Sequence, residues 1–183
     1  VPNTLGLNID MLLKVNNLPA LTDFMAKNGL PVINNYVLKA QDEANELLRT
    51  LHLPLMVRAL HPNQNNTRHI VERLDEFEDT INLAKSQSVT QEVIISRAIN
   101  GLKEISLEIL RDVRGNKMQI GASEDMDPIG IHTSDSLSVS PILTVQDQLI
   151  SQMRDYAFRI ADMLQLQGVM HVQFAIDDDD REI

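Results

Sequence analysis

His132 stands in the run Gly130-Ile131-His132-Thr133-Ser134-Asp135-Ser136, where an imidazole, hydroxyls and a carboxylate crowd together. Such a set can touch a phosphate or a ribose, and it can equally make an ordinary polar turn. Ser134 or Ser136 with His132 and Asp135 would supply the members of a hydrolytic triad, but triads are assembled from separate elements rather than from neighbours in one loop. Glu104 and Glu108 form a second set. Both fall at even positions of an expected strand and so share a face, which Asp112 continues. Carboxylates in such a row can bind Mg²⁺ or accept from ribose hydroxyls, or simply face solvent. His52, His61, His69 and His171 lack ligand-like spacing. The run Asp177 to Asp180 resembles a Ca²⁺ loop without its glycine and closing glutamate, and reads as a solvated turn. No Gly-x-x-x-x-Gly-Lys and no Gly-x-Gly-x-x-Gly occurs.

Composition narrows the classes these residues can serve. The 183 residues carry 16 Lys and Arg against 26 Asp and Glu, a net charge of −10. General binding to nucleic acid or to an anionic membrane needs a cationic face and is disfavoured, although a local basic pocket for a nucleotide phosphate is not. Cysteine is absent, which removes disulfides and thiolate metal sites. No apolar run approaches the ~18 residues of a membrane span, and a cytoplasmic location is compatible. The chain does not begin with Met and reads as an internal piece of something longer. With no Trp and 3% aromatics, the core must be Leu, Ile, Val and Met.

The elements that must position these residues alternate at first. Ile9 to Leu13 is a short apolar helical stretch. Asn17-Leu18-Pro19 opens a helix with Leu21, Phe24 and Met25 on one face, Gly29 as its C-terminal cap and Pro31 beyond. Pro31 to Leu38 reads as a strand. Ala44, Leu47, Leu48 and Leu51 make an amphipathic helix, and Pro54 to Leu60 a buried strand carrying Arg58. His61 to Arg68 is turn chemistry. A helix follows with Leu74, Phe77, Ile81 and Ala84 on one side. Glu92 to Ala98 and Leu102 to Asp112 read as strands, the latter joined through Arg114-Gly115-Asn116 to Lys117–Glu124 as a hairpin. Ile129 to Val139 is partly extended. Thr144 is placed as the cap of a long helix, with Asp147 in capping-box position and Val145, Leu149, Met153, Tyr156, Ile160 and Leu164 as its stripe. Val169 to Ile176 is the last strand. Two strand–helix units followed by a strand-rich half predict an α/β (α+β) architecture of two layers facing each other across a cleft.

Longer runs then carry a resemblance. Gly101-Leu-Lys-Glu104 resembles G-W-K-E, and Glu108-Ile-Leu-Arg-Asp112 resembles E-V-V-R-D. Ser123 to Ser136, ending in Gly130-Ile131-His132-Thr133-Ser134-Asp135-Ser136, is similar to S-I-E-N-F-D-x-M-G-I-H-T-G-D-S. Val172-Gln173-Phe174-Ala175 matches N-V-Q-F-A, and Leu55-Met-Val-Arg58 resembles C-I-I-R. These are motifs of the first ATP-grasp domain of the carbamoyl phosphate synthetase large chain, and the likeness covers nearly the whole sequence. It implies two α/β lobes with ATP and Mg²⁺ between them: an N-terminal lobe over 1–100, its small part roughly 30–95, and a C-terminal lobe over 101–183. It implies ATP-dependent phosphorylation of bicarbonate toward carbamoyl phosphate, which feeds pyrimidine or arginine biosynthesis. It also implies other domains of a parent chain and a glutaminase subunit as partners. By position, Arg58 would meet ATP phosphate, Glu104 the ribose, Gly130, Ile131 and His132 the nucleotide pocket, and Gln173 both Mg²⁺ and phosphate.

The departures point the other way. The family has a glycine-rich loop over the phosphates, but residues 59–69 contain no glycine, and Pro62 removes a donor. Leu18 stands where the family has an Arg and Arg97 where it has a Glu, while His171 replaces an Asn and Ser134 a Gly. The family's E-x-N metal-ligand strand is expected just after Ile183. Two readings follow. One is a piece of an ATP-dependent ligase with a partly degenerate site. The other is a non-catalytic ATP-grasp domain kept for structural, partner-binding or regulatory purposes. Both predict weak or no ATP binding and no turnover for this chain alone.

Overall fold

A computed structural model describes residues 6–38, 47–48, 50–62, 68–131 and 135–177. The chain divides into two units, residues 17–98 and residues 1–16 with 99–183. Among the described residues, no helix is long and apolar enough to cross a membrane.

The unit 17–98 starts with α2 (Leu18–Lys27), which follows the short α1 (Ile9–Val15) of the other unit. Asn17 caps α2 by accepting from the Ala20 amide at 3.2 Å, and Pro19 occupies the first turn, where its missing N–H costs nothing. The helix stops at Gly29, whose φ of +68° suits glycine. The Gly29 amide reaches the Ala26 carbonyl, and the Leu30 amide reaches that of Met25, so the last carbonyls are satisfied. The strand expected from Pro31 is shorter, β1 being Asn35–Leu38. Pro31 has no donor for a ladder, and the side-chain Nδ2 of Asn35 donates to Thr22 Oγ1 and the Ile33 carbonyl, which holds the approach as a loop against α2.

Next come β2 (Leu55–Ala59), β3 (Arg68–Val71), a 3₁₀ turn (Leu74–Glu76), α3 (Phe77–Ser86) and β4 (Val93–Arg97). The sheet order is β1-β4-β2-β3, with every neighbouring pair antiparallel. Phe77, Ile81 and Ala84 lie one and two turns apart on α3 and bury against Leu38, Leu55, Val57, Val71, Val93 and Ile95. Leu47, Leu48 and Leu51 pack on the same cluster; Ala44 and the turn residues 63–67 lie outside the described residues. Leu74, expected on the buried side, is 62% exposed. It sits in the 3₁₀ turn, whose tighter winding takes it off the α3 stripe.

The second unit holds β5 (Lys103–Arg111), β6 (Lys117–Asp125), β7 (Ser138–Val139), α4 (Asp147–Met163) and β8 (Gly168–Ile176), in the antiparallel order β7-β6-β5-β8. Leu149, Met153, Ala157 and Ala161 of α4 bury against Ile105, Leu107 and Ile109 of β5 and Phe174 and Ile176 of β8. Asp112 was expected to continue the face of Glu104 and Glu108. It instead closes the β5–β6 turn, its carboxylate accepting from the amides of Arg114 and Asn116 and from Asn116 Nδ2 at 2.8–2.9 Å. A turn with three nearby donors captures a carboxylate that a bare strand end would leave to solvent.

Thr144 is likewise not the cap expected of it. α4 begins at Asp147 with Gln146 as N-cap and no side-chain cap bond. The Thr144 hydroxyl donates to Glu124 of β6, whose other oxygen accepts from the amides of Leu143 (3.0 Å) and Thr144 (3.1 Å). Glu124 is only 3% exposed and lies on the α4 side of the sheet. A buried carboxylate needs donors, and a charge-assisted bond to it outcompetes a neutral cap bond.

Candidate functional site

The polar face of the second sheet is set by strand alternation. Ile105, Leu107 and Ile109 point to the core, so Glu104, Ser106 and Glu108 share the opposite face. Register carries that face across to β8, where Gln173 stands opposite Ser106, His171 opposite Glu108 and Ala175 opposite Glu104. On β6, Ser123 and Gly121 join it. Gln173 Nε2 donates to Glu104 Oε1, one diagonal step away. That bond fixes which end of the carboxamide is the carbonyl and leaves Gln173 Oε1 and the second Glu104 oxygen as acceptors.

The face changes character at a bulge. Glu108 pairs Gly121 but Ile109 pairs Gln119, so Ile120 is an extra residue in β6. A β-carbon on Gly121 would come within 3.1 Å of Glu108 Oε2, so glycine gives the Glu108 side chain its room. Beyond the bulge the same face turns apolar, with Met118, Leu110 and Val169 in one row.

The loop holding Gly130 and Ile131 is tied to the start of β5. The Gly101 amide donates to the Ile129 carbonyl at 2.9 Å, and the Ile129 amide donates to the Leu102 carbonyl at 2.8 Å. Both residues therefore lie at the Glu104 end of the strand. Ile131 is 51% exposed. Gly130 has φ of +94°, and a β-carbon there would stand 2.3 Å from Asn100 Nδ2. Gly130→Ala is expected to cost about 1–3 kcal/mol in local stability through the backbone strain alone. Hydrogen exchange should show faster amides at Gly101 and Ile129 while β8 keeps its protection. His132 and Ser134 lie outside the described residues.

Arg58 belongs to the other unit. On β2 it pairs with Arg68 of β3 on one side and Ile94 of β4 on the other, on the sheet face opposite α3. Burial first, and then the Arg68 charge beside it, lower its guanidinium from the ordinary arginine value. Its Nε is buried without a hydrogen-bond partner. Thus Glu104, Gln173, Gly130 and Ile131 gather on one unit, and Arg58 lies on the other.

Sequence reasoning missed Arg68 and Glu124. Arg68 stands within the stretch that reads as turn chemistry, and a turn centred on 61–68 would set Val71, not Arg68, opposite Arg58; the observed register, Arg58 with Arg68, is centred near residue 63. Glu124 reads as the end of a hairpin strand, and nothing local shows that its partners lie near residue 144.

Residues 20–183 match the family model described as carbamoyl-phosphate synthase L chain, ATP binding domain. The carbamoyl phosphate synthase large chain of Pyrococcus furiosus is 34% identical over 158 residues, which is 86% of this chain and 15% of that one. The corresponding chain of Methanosphaerula palustris is 30% identical over 159 residues, again 15% of its length. The sequence thus spans a small part of these relatives. Among solved structures, a biotin carboxylase complex with β,γ-ATP from Campylobacter jejuni superposes with a TM-score of 0.82 at 18% identity, over 95% of this chain and 40% of that one. The biotin carboxylase domain of the Hydrogenobacter thermophilus 2-oxoglutarate carboxylase, in complex with MgADP, ADP and bicarbonate, gives 0.81 at 16% identity, over 95% of this chain and 39% of that one. These neighbours carry the same ATP-grasp fold, here built from helices and two antiparallel sheets. The chain belongs to the ATP-binding domain family of the carbamoyl-phosphate synthase large chain.

Proposed function

We propose that this chain is the ATP-binding part of a carbamoyl phosphate synthase large chain, in which ATP activates bicarbonate, and that its own phosphate grip is weakened. The observation that carries the reading is the Glu104–Gln173 pair. Two strands far apart in sequence bring a carboxylate and a carboxamide into contact on an otherwise open polar face. A carboxylate oxygen there accepts from a ribose hydroxyl, and the Gln173 carbonyl offers a hard oxygen to Mg²⁺. The donor set fits that ion. Mg²⁺ is typically held by one or two protein oxygens with substrate phosphates and water completing six positions, and among the described residues no group of three His, Cys, Asp or Glu could hold a metal unaided. When bound, the ion neutralises phosphate charge. By the resemblance, Arg58 would offer a fork of donors to a phosphate, and Gly130, Ile131 and His132 would line the nucleotide. The lack of glycine over residues 59–69 favours the second reading, a module that keeps the fold without turnover, because the close backbone approach to phosphates that glycine permits is lost from the sequence. The great length of the relatives supports further domains in a parent chain, and a glutaminase partner rests on the family resemblance alone.

Calorimetric titration of Mg·ATP into this chain, and into a longer chain that continues past Ile183, tests the proposal. Weak binding to the first and at least tenfold tighter binding to the second, lost in Glu104→Ala, is expected. No binding to either would overturn it in favour of the non-nucleotide module.

A further inference from the structure

Three buried side-chain atoms among the described residues lack a hydrogen-bond partner: Arg58 Nε, Ser96 Oγ and Ser136 Oγ. Two of them share one patch. Ser96 pairs with Met56, two residues before Arg58 on β2, so it occupies the same sheet face one diagonal step away. On the other side of Arg58, directly across the ladder, stands Arg68. Like charges directly opposed destabilise a sheet, and among the described residues neither guanidinium meets a carboxylate. An acidic chain of net charge −10 thus sets two arginines side by side with no acid between them. Orphaned buried donors are rare and call for an occupant. The occupant that relieves all of these at once is an anion with several oxygens, accepting from both guanidinium forks and from the Ser96 hydroxyl.

We propose that Arg68 is a second anion-binding arginine, which with Arg58 and Ser96 forms a clamp for linked phosphoryl groups beside the glycine-free turn. Planar guanidinium forks match phosphate oxygens in pairs. Side-chain donors at the base of the turn here occupy the role that backbone amides fill in a glycine-rich loop. As an anion site the clamp stands on the geometry of β2, β3 and β4. As the phosphate end of a nucleotide site it also rests on the function proposed above.

The test uses inorganic tripolyphosphate and Mg·ATP at low ionic strength, with wild type, Arg68→Ala, Arg68→Gln and Glu104→Ala, read by calorimetry and thermal unfolding. Arg68→Ala and Arg68→Gln should each weaken tripolyphosphate at least tenfold, in line with hydrogen bonds to a charged group. Glu104→Ala should leave tripolyphosphate binding unchanged. Without any anion, Arg68→Gln should unfold at a higher temperature than wild type, because it removes repulsion. Added tripolyphosphate should raise the unfolding temperature of wild type and of Glu104→Ala, and much less that of the Arg68 variants. Tripolyphosphate binding that depends on Arg68, with no further gain from ATP, would keep the clamp and overturn the nucleotide reading. ATP binding indifferent to Arg68 would do the reverse. An Arg68→Gln variant less stable than wild type, or wild type that neither binds nor gains stability from tripolyphosphate, would overturn the clamp.

Discussion

Glu124→Ala is expected to destabilise the protein by about 2–4 kcal/mol, because it strands the amides of Leu143 and Thr144 and the Thr144 hydroxyl around an empty site. For a chain of this size that lowers Tm by roughly 5–15 °C. Glu124→Gln keeps one acceptor and should lose about half as much. The same carboxylate sets a pH dependence. Burial works against its charge, but hydrogen bonds from the Thr144 hydroxyl and the Leu143 and Thr144 amides, with the nearby Lys103 charge, more than offset that and hold its pKa below the ordinary glutamate value. A depressed pKa means that the folded state binds its proton less readily than the unfolded chain does. The stabilisation is therefore complete above the ordinary glutamate value of about 4.3 and is lost as pH falls through the lower folded value. Thermal unfolding of wild type and Glu124→Ala from pH 7 to pH 3 checks both effects, and the gap in Tm should narrow toward the acid end. A constant gap would mean that Glu124 contributes packing and not charge.

The second large effect is in the two cores. Met153 and Ile81 are fully buried, one on α4 and one on α3, in separate clusters. Truncation of either to Ala should cost about 2–5 kcal/mol, the transfer free energy of the lost methylenes plus a cavity. The costs should be local. Met153→Ala should speed exchange in β5 and β8, and Ile81→Ala in β2 and β4, each leaving the other set near its wild-type protection. Equal loss of protection in both units from either variant would show that the chain unfolds as one cooperative body.

Much of this arrangement was legible in the sequence where local chemistry decides it. Asn17, Pro19 and Gly29 mark both ends of α2 without help from distant residues. The stripe from Leu149 to Ile160 found the buried face of α4, and Gly115 marked the β5–β6 turn. Local rules failed where a distant group made a better offer. Thr144 has the chemistry of a cap but spends its hydroxyl on Glu124, twenty positions away. Leu74 keeps the helical spacing but sits in a different kind of turn. The site follows the same division. Alternation placed Glu104 and Glu108 on one face, whereas the contact between Glu104 and Gln173 depends on the β5–β8 register, which no local pattern states. Arg68 is hidden because its partner across the ladder depends on where the turn is centred, which a run of turn-forming residues does not state.

The two neighbours of β5 differ in one further respect. β6 follows it through a tight turn, whereas β8 pairs with it only after α4 has been made, closing a loop from Lys103 to Ile176. Hairpins of the first kind form in microseconds, and pairings of the second wait on loop-closure entropy. The Gly6–Gln167 bridge widens that span to almost the whole chain. During synthesis, residues 17–98 are a continuous stretch that can fold as soon as they emerge. Gly6, which precedes that stretch, gains its bridge partner only when Gln167, the residue before β8, has been made. On a ribosome a residue made before that stretch is thus secured after it, and until β8 arrives the half-built sheet presents the open edge of β5.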